Sequence, residues 1–189
     1  MSSSLLPYRP SSAALSPLVR RDDVGPLAWA GMLRDGVLRP LWHGVAVREG
    51  VEVTPGLRLA AVAHLVPERA VVARAAAAWV FAGGPPPAFV DVLVRPGARR
   101  TDPPPERRPC EGPLSPDDVL VCGAGRVTTL QRTGLDVARY VPAETARSLL
   151  AMLEHRGFDA DLALESLGAL TGERGTQRAR TLLEELRRE

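Results

Sequence analysis

One stretch decides the fold of the N-terminal part of the chain: residues 26–47, with the sequence PLAWAGMLRDGVLRPLWHGVAV. Proline suits the first turn of a helix and a left-handed glycine ends one, so Pro26 and Gly36 predict a short helix between them. Two apolar segments then flank His43-Gly44, a pattern that predicts two strands joined by a tight hairpin. A helix followed by a hairpin is the second half of a winged helix.

The rest of the sequence predicts further strands and helices. Thr54 and Pro55 predict the start of a helix. An alanine-rich helix is expected from about 74 to 82, preceded by a short strand or turn at 71–72. We predict strands of one small sheet at 89–95, 107–113, 119–122 and 126–128. Thr129 predicts the N-cap of a helix over 130–140. Three amphipathic helices are then predicted, one opening at Pro142 and the others at 160–169 and 174–187.

The predicted fold class is therefore α+β: a shortened N-terminal winged helix, a small mixed β-sheet domain and C-terminal helices. The predicted domains are a flexible tail over 1–17, a winged-helix-like domain over 18–53, an α/β domain over 54–141 and a C-terminal helical region over 142–189. We expect the last helix, 174–187, to pack internally, with a partner or dimer surface as the alternative.

Composition excludes several kinds of chemistry. All 24 basic residues are arginine, and the chain has no Lys, Asn or Ile, which indicates a GC-rich bacterial genome. Without lysine, P-loop phosphate binding and Schiff-base catalysis are excluded. The formal net charge of +2 is also well below that of a strongly basic nucleic-acid binder.

We predict that the protein is not an enzyme and needs no cofactor. His43, His64 and His155 lack neighbours at metal-ligand spacing, so no metal site is predicted. No catalytic residues can be assigned. The acidic pairs Asp22-Asp23 and Asp117-Asp118 each precede an element and are interpreted as helix-terminus caps. The two cysteines, Cys110 and Cys122, could be neighbours across a hairpin, but the favoured interpretation is two reduced thiols.

We predict a cytoplasmic location without membrane contact. The first seven residues lack the basic and apolar regions of a secretion signal. No apolar run is long enough to cross a bilayer.

The hairpin is the best functional candidate that the residues indicate. A winged helix that binds DNA needs arginines near the wing and along the exposed helix face. The candidate DNA-binding residues are Arg20, Arg21, Arg34, Arg39 and Arg48. Spacing alone equally favours a small sheet with solvated arginines around a core Trp42.

Six segments, in order, resemble the AbiEi-type antitoxins of type IV toxin–antitoxin systems. The winged-helix likeness lies in Arg20–Val24, Met32–Arg39 and His43–Val47. Val72–Trp79 is similar to the family's helix after the wing, and Asp91–Gly97 to its central strand and basic turn. The most distinctive segment, Arg126–Arg139, is similar to the family's Val-Thr-x-x-x-Arg-Thr-x-x-Asp-x-Ala-Arg. The resemblance covers about residues 18–170.

The resemblance implies a transcriptional autoregulator that binds operator DNA through its N-terminal domain. It also implies antitoxin activity towards a nucleotidyltransferase-like toxin encoded beside it, and a homodimer is a further expectation. Many relatives carry a C-terminal nuclease-like domain, which we do not expect here. The helical part before the hairpin is shorter than the family's, so the alternative is a protein-interaction module whose winged helix no longer reads DNA.

Overall fold

The computed structural model describes residues 16–97, 103–123, 125–168, 170 and 172–188. The chain divides into two compact units, Met1–Val51 and Glu52–Glu189. Both helices and sheets are present, so the fold class is α+β, as predicted. The predicted flexible tail, 1–17, lies almost wholly outside the described residues.

The first unit contains a three-stranded sheet and two helices. Its elements are β1 (Leu18–Arg20), α1 (Arg21–Val24), α2 (Pro26–Arg34), β2 (Leu38–Trp42) and β3 (Val45–Arg48). The strand order is β1-β3-β2, with both pairings antiparallel. Helix α2 and the hairpin lie where the sequence predicts them. Strand β1 and helix α1 were not predicted.

The second unit is built on a mixed sheet with helices before and after it. Its strands are β4 (Val71–Val72), β5 (Val90–Val94), β6 (Arg107–Glu111), β7 (Val119–Cys122) and β8 (Gly125–Thr128). Its helices are α3 (Pro55–Val62), α4 (Arg74–Ala82), α5 (Leu130–Tyr140), α6 (Ala143–Glu154), α7 (Ala160–Gly168) and α8 (Thr176–Leu186). In the described part of the chain, the sheet order is β6-β5-β4-β8-β7.

Caps at the start of the helices explain why the predicted bounds agree with the structure. Thr54 accepts a hydrogen bond from the Leu57 amide at 3.2 Å, and Thr129 accepts one from the Arg132 amide at 3.3 Å. A side-chain oxygen in this position satisfies an amide that the helix leaves unpaired. The structure confirms both predicted N-caps.

One apolar core joins the helices of the second unit. Side chains from α4 to α8 contribute to it, with Leu150, Leu153, Leu167 and Leu183 almost completely buried. Helix α8 therefore packs internally, as predicted. The sequence pattern of 160–169 predicts an apolar stripe that includes Leu162 and Leu167. This prediction is wrong for Leu162, which is 51% exposed, because the buried stripe runs through Ala160, Ala163 and Leu167.

The two cysteines lie on opposite edges of the five-stranded sheet. Cys110 is in β6 and buried, whereas Cys122 is in β7 and exposed. Four strand spacings separate these edges, or about 19 Å. A disulfide needs Cα atoms within about 7 Å, so the hairpin pairing considered from the sequence is wrong.

Candidate nucleic-acid interface

In the first unit, two helices are followed in the sequence by a short hairpin. Strand β1 pairs with β3 at the side away from β2, and α1 and α2 connect β1 to β2. The hairpin turn contains only His43 and Gly44, and His43 has a positive φ of 39°. Such a two-residue turn requires left-handed backbone, which glycine adopts readily and histidine more often than most residues. The hairpin turn is therefore compact.

Two of the candidate arginines lie beside the hairpin turn. Arg20 in β1 pairs with Val45, the first residue after the turn. The Arg21 amide donates a hydrogen bond to the Gly44 carbonyl at 2.8 Å. The hairpin turn itself contains no arginine, so the arginines beside it belong to β1 and α1.

The other three candidates lie towards the open end of the hairpin. Arg39 pairs with Val47 and Arg48 with Leu38, and adjacent pairs along a strand project to opposite faces. Arg39 and Arg48 therefore lie on different faces of the sheet. Arg34 is the last residue of α2, just before β2 begins. The structure does not gather the five candidates into one surface.

Acidic neighbours offset part of this positive charge. Arg34 Nε lies 3.0 Å from Asp35 Oδ1, and Arg39 Nε lies 3.9 Å from Glu49 Oε2. The described residues of this unit hold five arginines against Asp22, Asp23, Asp35 and Glu49. Both ion pairs are largely exposed, so a phosphate could displace the carboxylates at little cost.

The apolar residues of the unit distinguish its core from its surface. Trp42 is only 3% exposed, which agrees with its predicted place in the core. Helix α2 has no buried residue among those described, and its Leu27 is 90% exposed. An isolated exposed leucine needs no explanation, but an exposed leucine on α2 also suits contact with a protein.

No family model matches the chain. The search of curated proteins likewise finds no match. None of the described helices is both long and apolar enough to cross a membrane. In the same residues, no three His, Cys, Asp or Glu side chains come together as a metal site would require.

The most distinctive sequence segment, Arg126–Arg139, contains most of β8 and most of α5. The Thr128 and Thr133 hydroxyl oxygens are 2.7 Å apart, and both side chains are fully buried. Arg132 donates to Asp136 at 3.0 Å, to Asp118 at 2.9 Å and to the Pro113 carbonyl at 3.0 Å. The spacing of four residues in the sequence is consistent with either a solvated Arg132 or its pairing with Asp136, and the structure shows the pairing. All of these polar groups bind other parts of the same unit.

Burial governs the electrostatics of this connection. Burial raises the pKa of Asp136 and outweighs the opposing effect of Arg132. One oxygen of Asp136, Oδ1, is buried and has no hydrogen-bond partner among the described residues. Burial tends to lower the pKa of Arg132, but Asp136 and Asp118 raise it overall. The guanidinium therefore stays charged and serves as the common partner of both carboxylates.

The two acidic pairs differ in how they agree with the capping interpretation, because no side chain caps the start of α1, whereas Asp118 takes part in a cap. Asp22 and Asp23 lie in the first turn of α1. Asp118 accepts a hydrogen bond from the Ser115 amide at 2.9 Å, closing a capping box around the 3-10 turn Pro116–Asp118.

Sequence reasoning missed a second group of arginines, Arg69, Arg95 and Arg126, which line one cavity of the second unit. They are far apart in the sequence and have no common spacing. The sole local signal is the basic turn that begins at Arg95.

Proposed function

We propose that the chain is an AbiEi-like transcriptional autoregulator and antitoxin whose N-terminal unit binds operator DNA. The observation that carries the proposal is the sheet order β1-β3-β2, with α1 and α2 inserted between β1 and β2. This arrangement suits a winged helix, in which a helix approaches a groove while the hairpin approaches the backbone. It supports the order of segments that resemble the family.

Phosphate contacts would supply most of the affinity. Arg20 and Arg21 beside the hairpin turn, and Arg34, Arg39 and Arg48 at its open end, would form two groups of cations about one hairpin length apart. Arginine binds phosphate oxygens through a planar pair of N–H donors. Five arginines would release few counterions, so binding should depend on salt only moderately.

The toxin partner in this proposal follows from the resemblance alone. The protein partner would be a nucleotidyltransferase-like toxin encoded beside this gene. We propose a cytoplasmic, non-enzymatic protein that acts as a homodimer. An adjacent nucleotidyltransferase gene would support this role.

A gel-shift titration against the upstream promoter DNA tests the DNA-binding proposal. The double variant Arg20→Ala/Arg21→Ala removes the first group of cations, and Arg39→Ala/Arg48→Ala removes two of the three cations in the second group. Each should weaken binding to all sequences alike and lower the salt slope by about one for each phosphate that the variant no longer binds. Arg156→Ala, an exposed arginine of the second unit, should have no effect. Equal affinities for all four proteins would refute operator binding by this unit.

A protein-interaction module is the second candidate function, favoured by the exposure of Leu27 and by the nearly balanced charge around it. Here α2 would contact a protein instead of a groove. Leu27→Asp should then abolish binding to the purified neighbouring toxin while leaving the melting temperature unchanged. Under the DNA proposal, the same variant would weaken operator binding instead.

A further inference from the structure

The second unit contains a cavity whose charge is strongly one-sided. It has a volume of about 690 Å³, and the described residues that line it include three arginines, Arg69, Arg95 and Arg126, and no acidic side chain. Such a volume lies within the range that holds small-molecule ligands. The other lining residues are mainly apolar or proline, among them Pro67, Ala70, Val94, Leu114 and Val119.

The sheet topology explains why these arginines meet. Strand β5 is antiparallel to β4 and parallel to β6, and β4 is parallel to β8. The end of β5 therefore adjoins the beginnings of β4 and β8. Arg95 follows β5, Arg69 precedes β4, and Arg126 is the second residue of β8. The three arginines therefore lie at the same end of three neighbouring strands, β5, β4 and β8.

The arginines are available to a ligand. Arg69 and Arg95 are exposed and, in the described parts of the chain, the ion pairs are made by other arginines. Arg126 is held in place by a hydrogen bond from Nη1 to the Glu68 carbonyl at 3.1 Å. Its Nε is buried without an acceptor among the described residues. A buried donor without a partner is costly, so the described part of the protein does not fully satisfy the Arg126 guanidinium.

A second cavity in the same unit provides a contrast. It has a volume of about 540 Å³ and contains Arg132 and Arg139 together with Asp117, Asp118 and Glu165. Both of its guanidiniums already bind carboxylates, Arg132 to Asp118 and Asp136 and Arg139 to Glu173. The positive charge of that cavity is therefore neutralised by the protein's own carboxylates. The cavity with Arg69, Arg95 and Arg126 has no such ion pair among its described lining residues.

We propose that the cavity lined by Arg69, Arg95 and Arg126 binds a nucleoside phosphate. Three arginines with no acidic side chain among the described lining residues match a phosphate better than a single carboxylate, and each guanidinium can contact two phosphate oxygens. The apolar wall would accept the ring of the base. The phosphate could belong to a free nucleotide or to the 5′ end of a nucleic-acid strand. This proposal goes beyond operator binding and involves different residues.

Calorimetric titration of the full chain tests the assignment, with inorganic phosphate, adenosine, AMP, ATP and a 5′-phosphorylated single-stranded tetranucleotide as ligands. AMP or ATP should bind at least about tenfold more tightly than phosphate or adenosine alone, because charge and apolar contact act together. Preference for the tetranucleotide, abolished when its 5′ phosphate is removed, would support the same cavity and identify a strand end as the source.

Matched variants locate the ligand. Arg69→Gln and Arg95→Gln change exposed side chains, and each should weaken nucleotide binding at least about tenfold at an unchanged melting temperature. Arg156→Gln makes the same charge change outside the cavity and should bind like the unaltered protein. Arg126→Gln, whose melting temperature is measured alongside, should also lose binding. The proposal is overturned if none of the ligands binds, if Arg69→Gln and Arg95→Gln both bind normally, or if tetraglutamate competes as well as ATP does.

Discussion

Arg132 joins separate elements of the second unit through its hydrogen bonds and ion pairs. Its side chain is 13% exposed, and its guanidinium binds Asp136, Asp118 and a backbone carbonyl. Arg132→Met keeps much of the volume but leaves two carboxylates without their common partner. We expect the free energy of unfolding to fall by about 3 kcal/mol, because breaking a buried ion pair leaves an uncompensated charge. Urea denaturation measures the change.

Arg147 provides the matched control. It also pairs with a carboxylate, Glu185 at 3.0 Å, but its side chain is 54% exposed. Arg147→Met should change the free energy of unfolding by at most about 0.5 kcal/mol. Equal losses for the two variants would contradict the structural role of Arg132.

The two thiols should differ sharply in reactivity. Burial raises the pKa of Cys110 from 9.0 to about 11, whereas Cys122 is exposed. We expect iodoacetamide to modify Cys122 rapidly at pH 8 and Cys110 only after unfolding, because the thiolate is the reactive form. Mass spectrometry of the Cys122→Ser variant isolates Cys110. Rapid labelling of that variant in its folded state at pH 8 would contradict the buried position.

The same pKa shift predicts the sign of a pH effect. Between pH 9.0 and about 11, the folded state keeps the Cys110 proton that the unfolded state has lost. The contribution of Cys110 to stability is therefore complete below this window and lost as pH rises through it.

Sequence reasoning reached part of the Arg132 network. A separation of four residues on a helix predicts the pairing with Asp136, because side chains at this spacing are neighbours. Asp118 lies 14 residues away and belongs to a different element, so its contact depends on how β7 and β8 pair. The same limit applies to the candidate arginines, because the placement of Arg39 and Arg48 on different faces follows from strand register.

Helix α5 carries the clearest prediction at the scale of an element. Gly134 lies inside this helix, and a Cβ there would overlap the ring of Phe158, which is 3% exposed. Gly134→Ala should gain about 1 kcal/mol of helix propensity. It should nevertheless lower the free energy of unfolding by about 1–3 kcal/mol, because overpacking the core costs more than the propensity contributes. Thermal or urea denaturation measures the balance.

Gly168 in α7 is the control, since a Cβ there would meet no atom within 4 Å. Gly168→Ala should change stability by at most about 0.5 kcal/mol. If Gly134→Ala stabilises the protein, the close packing of α5 against Phe158 is wrong.

The elements also differ in how well they can be predicted from their local sequence. Helices α3 and α5 begin at Thr54 and Thr129 caps, and their bounds could be predicted from those residues. Strand β1 has only three residues and no alternation long enough to detect. It exists as a strand because β3 offers it a partner, a long-range contact that a local pattern does not contain.

At the scale of the whole molecule, the division of the chain depends on where the cores lie. The predicted boundary between 53 and 54 is close to the observed one between Val51 and Glu52. The predicted boundary at 141–142 does not separate compact units, because α6, α7 and α8 share one core with α4 and α5. Amphipathic stripes show that a helix is buried, but they do not show against which neighbour.

Because the second unit contains this shared core, residues 52–189 should fold without the first unit. Domains that contain their own core can generally do so, and the buried leucines of α6 to α8 all lie within this segment. The isolated segment should show helical circular dichroism and one cooperative thermal transition. Leu183→Asp in the same segment should remove that transition, because Leu183 is fully buried and an unpaired charge there costs several kcal/mol. A segment that is unfolded without residues 1–51 would mean that its core is incomplete, whereas a folded Leu183→Asp variant would mean that α8 does not pack internally.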